Sequence, residues 1–192
     1  MEAFLIATGV VALAEIGDKT QLLSLVLATR YRSPWAISGG ILVATIINHA
    51  LAALVGESVF EWLGPEWTRW ILAGSFVVMA GWMLIPDKLD ADEENVAENR
   101  MKRYGVFVMT TVIFFLLEMG DKTQIATAIL AARFQDLTAV VAGSTLGMVI
   151  ANVPVVFFGD ALAKRMPIDM IHRITAGIFL VMGAAILFGI AF

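Results

Sequence analysis

Long apolar runs alternate with short polar segments along the whole chain. Read against proline, glycine and charge clusters, the runs predict six helices, at about 3–29, 36–56, 68–85, 104–131, 138–158 and 170–191. A helix needs roughly 20 apolar residues to cross a hydrocarbon core of about 30 Å, and several of these runs supply them. The pattern therefore predicts an all-α integral membrane protein with six transmembrane helices.

Composition agrees with a protein that lies in a lipid bilayer. Of the 192 residues, 59% are hydrophobic and 16% are charged, whereas about a quarter of the residues in a soluble domain are charged. The chain has no cysteine, which excludes disulfides and thiolate metal sites. Its first residues lack the basic region and cleavage site of a signal peptide, so we expect the first helix to be retained. No nucleic-acid partner is expected.

The second half of the chain repeats the first. The heptapeptide EIGDKTQ at 15–21 returns as EMGDKTQ at 118–124, a shift of 103 residues. The same shift, without a gap, aligns Arg30 with Arg133. An ungapped match between the two halves over this length indicates that a three-helix unit was duplicated.

The duplication divides the chain into three parts and sets its geometry. Three-helix repeats at 1–85 and 104–192 flank a charged linker at 86–103. Because three is odd, the second repeat must enter the membrane from the opposite side, which is the inverted-repeat plan of many secondary transporters. The loops on the linker side carry nine basic residues and the opposite side two. By the positive-inside rule we expect the linker in the cytoplasm and both termini outside a cell (inner) membrane.

The repeated motif places charged side chains in the middle of predicted helices one and four. A charge at the bilayer centre costs from roughly three to more than ten kcal/mol, so such residues are rarely without function. In a continuous helix, Glu and Asp three apart share a face with the Lys that follows. A pseudo-two-fold axis would bring the two faces together. The predicted metal site is therefore a cluster of four carboxylates: Glu15, Asp18, Glu118 and Asp121.

Other polar positions are expected to support this cluster. The glycines permit close helix approach or local unwinding that exposes carbonyl oxygens, and each lysine either neutralises an empty site or is structural. The supporting motif residues are Gly17, Lys19, Thr20, Gln21, Gly120, Lys122, Thr123 and Gln124. Outside the motifs, Asn48, His49 and Asn152 interrupt apolar runs. They are candidates for the ion pathway or for interhelical hydrogen bonds alone.

The donor set indicates which ion would bind. Oxygen ligands without thiolates suit Mg²⁺, Ca²⁺ or Mn²⁺ rather than Cu(I) or structural zinc. Carboxylates held close together resist full ionisation, so they would take up protons when the ion leaves. This is the chemistry of cation/proton exchange. No resident cofactor is expected, since the metal ion would be the substrate.

Paired Glu-x-Gly-Asp-Lys-Thr motifs in a six-helix chain with a charged central linker resemble uncharacterised protein family 0016. This is the Gdt-type family of Golgi manganese and calcium transporters and bacterial manganese exporters. The similarity covers essentially the whole chain. It implies export of Mn²⁺ or Ca²⁺ from the cytoplasm by proton antiport, with the motif acids as ligands. The preference for Mn²⁺ rests on resemblance to the compact bacterial members and not on any residue.

Three alternatives remain open at this point. The charged motif residues could form a structural salt bridge, or the protein could transport another cationic substrate such as a basic amino acid. The third alternative is an intramembrane aspartyl protease that uses Asp18 and Asp121 as a catalytic dyad. Such proteases share a Tyr-Asp motif and a Gly-x-Gly-Asp motif, and the chain lacks this pair. A homodimer is compatible with the sequence.

Overall fold

The computed structural model describes residues 1–85, 105–159 and 167–189, without the side chains of 64–66. The predicted linker at 86–103 lies outside the described residues. Seven helices and no strand occupy these ranges, which confirms the all-α prediction there. The helices are α1 Glu2–Glu15, α2 Lys19–Tyr31, α3 Pro34–Met83, α4 Val106–Leu117, α5 Lys122–Phe134, α6 Leu137–Phe158 and α7 Ile168–Leu187.

The prediction of one continuous helix at 3–29 and another at 104–131 was wrong. The first run is divided between α1 and α2 and the second between α4 and α5. The cause is a glycine in each break, because Gly17 has φ +85° and Gly120 has φ +79°. This left-handed conformation ends a helix and favours glycine, which has no Cβ. The motif carboxylates therefore flank a helix break instead of sharing one face of a helix.

The helices predicted at 36–56 and 68–85 lie in one helical run, α3. Two contacts with α5 show that this run cannot be straight. Gln124 donates a hydrogen bond to the Asn48 side chain, and Lys122 donates one to the Ile85 carbonyl. A straight helix from Asn48 to Ile85 would extend about 55 Å, too far for both ends to reach one turn of α5. The run therefore folds back on itself.

Three stretches of the described chain are long and apolar enough to cross a membrane alone. They are Pro34–Leu63, Leu137–Phe158 and Ile168–Leu187, with 30, 22 and 20 residues. The four helices beside the breaks have only 12 to 14 residues each. At 1.5 Å per residue each is about 20 Å long, so a crossing there needs both halves of a broken helix. Six crossings by two inverted repeats remain a prediction.

Glycines bring helices of opposite halves into close contact. A Cβ on Gly40 would lie 2.9 Å from the carbonyl oxygen of Phe107, and a Cβ on Gly143 would collide with the carbonyl oxygen of Phe4. The shift of 103 residues converts one pair into the other, so each half packs on its partner in the same way. Small residues allow such approach of helix backbones within a membrane. These contacts hold α3 against α4 and α6 against α1.

Candidate cation site

The first helix break is built by hydrogen bonds within its own motif. The Thr20 hydroxyl donates to Glu15 Oε1, and the Gly17 N–H donates to Gln21 Oε1 over 2.9 Å. Asp18 starts α2 as its N-cap and accepts from the Thr20 N–H at 3.2 Å, since a carboxylate there satisfies a free helix N–H. Two side chains of α2 therefore hold the glutamate at the end of α1 and the glycine in the break.

The second break repeats this arrangement. The Thr123 hydroxyl donates to Glu118 Oε2 over 2.9 Å, and the Gly120 N–H donates to Gln124 Oε1. Asp121 is the N-cap residue of α5 but makes no capping hydrogen bond with its side chain. The threonine and glutamine of both motifs thus make the same contacts at each break, while their support of a metal site stays a prediction.

The two breaks bring the predicted carboxylates together. One ligand atom from each of Glu15, Asp18 and Glu118 lies within 4.8 Å of the other two. Both glutamates are fully buried. Asp121, also buried, is near enough for its charge to interact with both glutamates. Acidic side chains that are 103 residues apart in sequence therefore share one buried place.

Two glutamate oxygens of this cluster have no hydrogen-bond partner within the described part of the chain. They are Glu15 Oε2 and Glu118 Oε1, one from each motif. A buried carboxylate oxygen without a partner is costly unless an ion or a proton compensates its charge. The unpaired oxygens therefore point to a bound cation or proton between the two glutamates.

Polar residues of α6 extend the first half of the site. Asn152 Nδ2 donates to Glu15 Oε1 over 3.2 Å, and the Ser24 hydroxyl donates to Asn152 Oδ1 over 2.9 Å. Gln21 Nε2 donates to the Ala151 carbonyl over 2.9 Å. The sequence had singled out Asn152 but missed Ser24. The available signal was its position one turn after Thr20, on the same side of α2.

Asn48 and His49 of α3 lie in different surroundings. Asn48 Nδ2 donates to the Phe115 carbonyl over 3.2 Å, and its oxygen accepts from Gln124. Asn48 is therefore connected to the second motif through Gln124. His49 is fully buried, and neither ring nitrogen has a hydrogen-bond partner among the residues described. No hydrogen bond joins it to the cluster there.

The two motif lysines are not equivalent. Lys19 Nζ lies 3.8 Å from Asp121 Oδ1 and thus pairs with the other motif. Lys122 is almost completely buried and donates to the Ile85 carbonyl over 3.2 Å. Lys19 thus contacts a carboxylate of the other motif, and the buried Lys122 ties the residues after α3 to the start of α5.

Most of the chain matches one known protein family. Residues 3–91 and 106–191 match the family model described as "Divalent cation/proton antiporter GDT1". The chain belongs to the GDT1 family. This confirms the resemblance inferred from the paired motifs. Because the GDT1 family consists of cation transporters and not enzymes, the aspartyl protease interpretation of Asp18 and Asp121 is wrong.

Relatives in the GDT1 family match over most of their length. A Vibrio cholerae serotype O1 protein named "Putative manganese exporter" is 51% identical over 98% of this chain and 92% of its own. The "GDT1-like protein sll0615" of Synechocystis is 28% identical over 86% of each chain. The "Divalent cation/proton antiporter GDT1" of Saccharomyces cerevisiae is 23% identical over 94% of this chain and 81% of its own. No solved structure matches the chain.

Proposed function

We propose that this GDT1-family protein exports Mn²⁺ from the cytoplasm in exchange for protons, with Glu15, Asp18, Glu118 and Asp121 as the transport site. The observation that carries the proposal is the cluster of buried carboxylates from both motifs, three of them with ligand atoms within 4.8 Å of one another. A family of divalent cation/proton antiporters needs a place where either ion can bind, and this cluster has the required chemistry.

The spacing of the cluster fits one hard divalent cation. Oxygen ligands bind Ca²⁺ at about 2.3–2.6 Å and the smaller Mg²⁺ at about 2.0–2.1 Å. Ligand oxygens on opposite sides of one such ion are therefore about 4–5 Å apart. One oxygen from each of the three clustered carboxylates lies within 4.8 Å of the other two, so a single ion could contact all three. An ion between them would also accept the unpaired oxygens of Glu15 and Glu118.

Protons would compete with the metal for the same oxygens. Without a cation, several carboxylates in one buried place repel one another, and protonation removes the repulsion. A bound metal ion would in turn displace the protons. Since the oxygens hold only one kind of cation at a time, each passage of the metal in one direction is coupled to protons in the other.

The expected inverted repeats would give alternating access to this site. The matched contacts of Gly40 with Phe107 and of Gly143 with Phe4 support a two-fold relation between the repeats. We assign the repeats to 1–85 and 104–192, joined by the linker at 86–103. We place the protein in the inner membrane with the linker in the cytoplasm and both termini outside, as the basic residues indicate.

The choice of Mn²⁺ over Ca²⁺ follows the relatives and not the geometry. Carboxylate and amide oxygens accept either ion. The Vibrio cholerae relative, which shares half of the sequence, is named as a manganese exporter. Both ions therefore belong in the test.

The test is transport by purified protein in proteoliposomes under an imposed pH gradient. We expect proton-driven Mn²⁺ flux in the wild type and none in Glu15→Gln, because the amide loses both the charge and the proton site. Glu61→Gln is the matched control, since Glu61 is exposed on α3, and it should transport as the wild type does. Flux in Glu15→Gln equal to wild type would contradict the proposed site and favour a structural ion pair. Transport of Ca²⁺ but not Mn²⁺ would mean that the proposed substrate is wrong and the proposed site is still supported.

A further inference from the structure

The start of α7 covers the first helix break. His172 Nε2 lies 2.8 Å from the carbonyl oxygen of Ile16. Because a carbonyl can only accept, the histidine must donate this hydrogen bond from Nε2. A Cβ on Gly17 would collide with the Ile168 side chain and lie 3.2 Å from His172 Nε2. Two side chains from the first turns of α7 therefore rest directly on the break beside Glu15.

Among the described residues, none covers the second break in this way. No described atom lies within 4 Å of the place where a Cβ on Gly120 would stand. Gly120 is exposed and Met119 has 56% of its surface exposed, whereas Ile16 and Gly17 are half-buried. The residue that matches His172 under the shift of 103 is Arg69. Its guanidinium lies 5.4 Å from the ring of Trp70, on an exposed part of α3.

Away from the break, α7 and α1 are separated by a cavity. The cavity has a volume of about 640 Å³ and an apolar lining. Leu5 and Leu13 line it from α1, and Val181 and Ala185 line it from α7. Close packing between two helices opposes their relative movement, and here it is interrupted. The later part of α7 packs against α3, where the rings of Phe179 and Phe76 lie 5.8 Å apart. Movement of the first turns of α7 alone would uncover the break and leave that interface in place.

We propose that Ile168 and His172 form a gate, which closes the transport site on the side of the first motif. His172 is a positioning residue that holds the gate shut through the Ile16 carbonyl. With this gate closed, an ion would reach the carboxylates past the second motif, where Met119 and Gly120 are exposed. Opening of the α7 gate would give access from the other side. This inference rests on the proposed function, since it takes the carboxylate cluster as the place to which access is controlled.

Cysteine labelling tests the gate, because the natural chain has no cysteine. Ile16→Cys and Met119→Cys occupy matched positions in the two motifs, and neither residue is a proposed ligand. Each variant is placed in lipid nanodiscs, where both faces are accessible, and its reaction rate with a small cationic thiosulfonate is measured. We expect fast reaction at Met119→Cys and slow reaction at Ile16→Cys.

Removal of the His172 hydrogen bond should affect one position only. We expect His172→Ala to raise the labelling rate of Ile16→Cys about three- to tenfold, as loss of one hydrogen bond in a membrane protein implies. The rate at Met119→Cys should not change. His172→Asn, whose amide can also donate, should restore slow labelling in part. His172→Leu, which cannot donate but has an apolar side chain, replaces His172→Ala should that variant not fold.

Labelling needs no transport, so failure of the gate and failure of the proposed function are distinguishable. An unchanged rate at Ile16→Cys after loss of His172 would overturn the gate. A rate at Met119→Cys as slow as that at Ile16→Cys would overturn the open path past the second motif. The wild-type labelling pattern together with normal transport by Glu15→Gln would instead keep the gate and overturn the carboxylate site.

Discussion

The helix break at Gly17 and the break at Gly120 carry almost the same heptapeptide, with Ile16 replaced by Met119. Inside each motif the hydrogen bonds agree, because the same threonine and glutamine are present at the same spacing. The surroundings do not agree. His172 contacts the first break, while no described residue fills the matched place at the second. Local structure thus follows the repeated residues, and asymmetry follows the residues that the duplication no longer shares.

The lysines show the same division. Asp18 caps its own helix and Asp121 is paired with Lys19, so the fourth carboxylate is held by an ammonium group of the other motif. Lys122 has the same sequence neighbours as Lys19 but is more deeply buried, and it donates to the Ile85 carbonyl after α3. The burial of a repeated side chain therefore depends on the residues that surround it in each half. The following predictions test whether these differences matter.

The largest effect should come from the glutamates, and it should be equal in the two halves. Glu118→Gln and Glu15→Gln each remove a ligand and a proton site from one shared cluster. We expect either variant to lower proton-driven Mn²⁺ flux in proteoliposomes at least about 100-fold, as loss of several kcal/mol of charge interaction implies. If only one of them abolished flux, the site would belong to one motif and the comparison would fail.

Alanine substitution of the two break glycines should lower the stability of the protein by different amounts. Alanine at either break would adopt a left-handed conformation that costs about 1–2 kcal/mol. Gly120→Ala adds no collision, whereas Gly17→Ala also displaces Ile168. We expect Gly17→Ala to lower the thermal unfolding midpoint in detergent more than Gly120→Ala does. Equal midpoints would mean that α7 does not rest on the first break.

The lysines should differ in their effect on stability. Lys19→Gln removes a positive charge 3.8 Å from Asp121, so the cluster repels a metal ion less. We expect Mn²⁺ to bind about tenfold more tightly, equivalent to ~1.4 kcal/mol, when titrated at constant pH and ionic strength. Lys122→Gln also loses a hydrogen bond to the Ile85 carbonyl, so it should lower the thermal unfolding midpoint more than Lys19→Gln does. Equal midpoints in the two variants would remove the distinction between them.

The smallest effect should come from the polar residues of α3 and α6. Asn152→Ala removes a hydrogen bond to Glu15, and interhelical bonds of this kind contribute about 0.6 kcal/mol on average. We expect the apparent Mn²⁺ affinity to fall about threefold. His49→Asn, which makes the two halves alike at this position, should change transport by less than about twofold. A large loss of flux in His49→Asn would show that the histidine contacts a transported ion.

The sequence predicted which side chains lie together better than it predicted the backbone between them. The repeat with a constant shift indicated the four buried carboxylates, because a duplicated polar motif in apolar surroundings is hard to explain by packing. Their role as metal ligands stays a prediction. The repeat did not predict the breaks, since the apolar pattern continues on both sides of Gly17 and Gly120. A glycine can occupy a continuous helix, and only the folded backbone reveals its positive φ.

Contacts between the halves were the least predictable. His172 resembles any lone polar residue near a helix end, and its contact with Ile16 depends on how α7 packs against α1. The fold of α3 shows the opposite error. The sequence predicted separate helices at 36–56 and 68–85, but one helical run continues from Pro34 to Met83. Contacts with α5 were needed to show that the run folds back.

The central claim is that the two motifs make one cation site and not two. It is tested most directly by the number of Mn²⁺ ions bound per chain at equilibrium, measured by electron paramagnetic resonance on purified protein. The account predicts one bound ion per chain, and it predicts that Glu15→Gln and Glu118→Gln each abolish binding at the same Mn²⁺ concentration. Two bound ions, with one lost in each variant, would contradict a shared site.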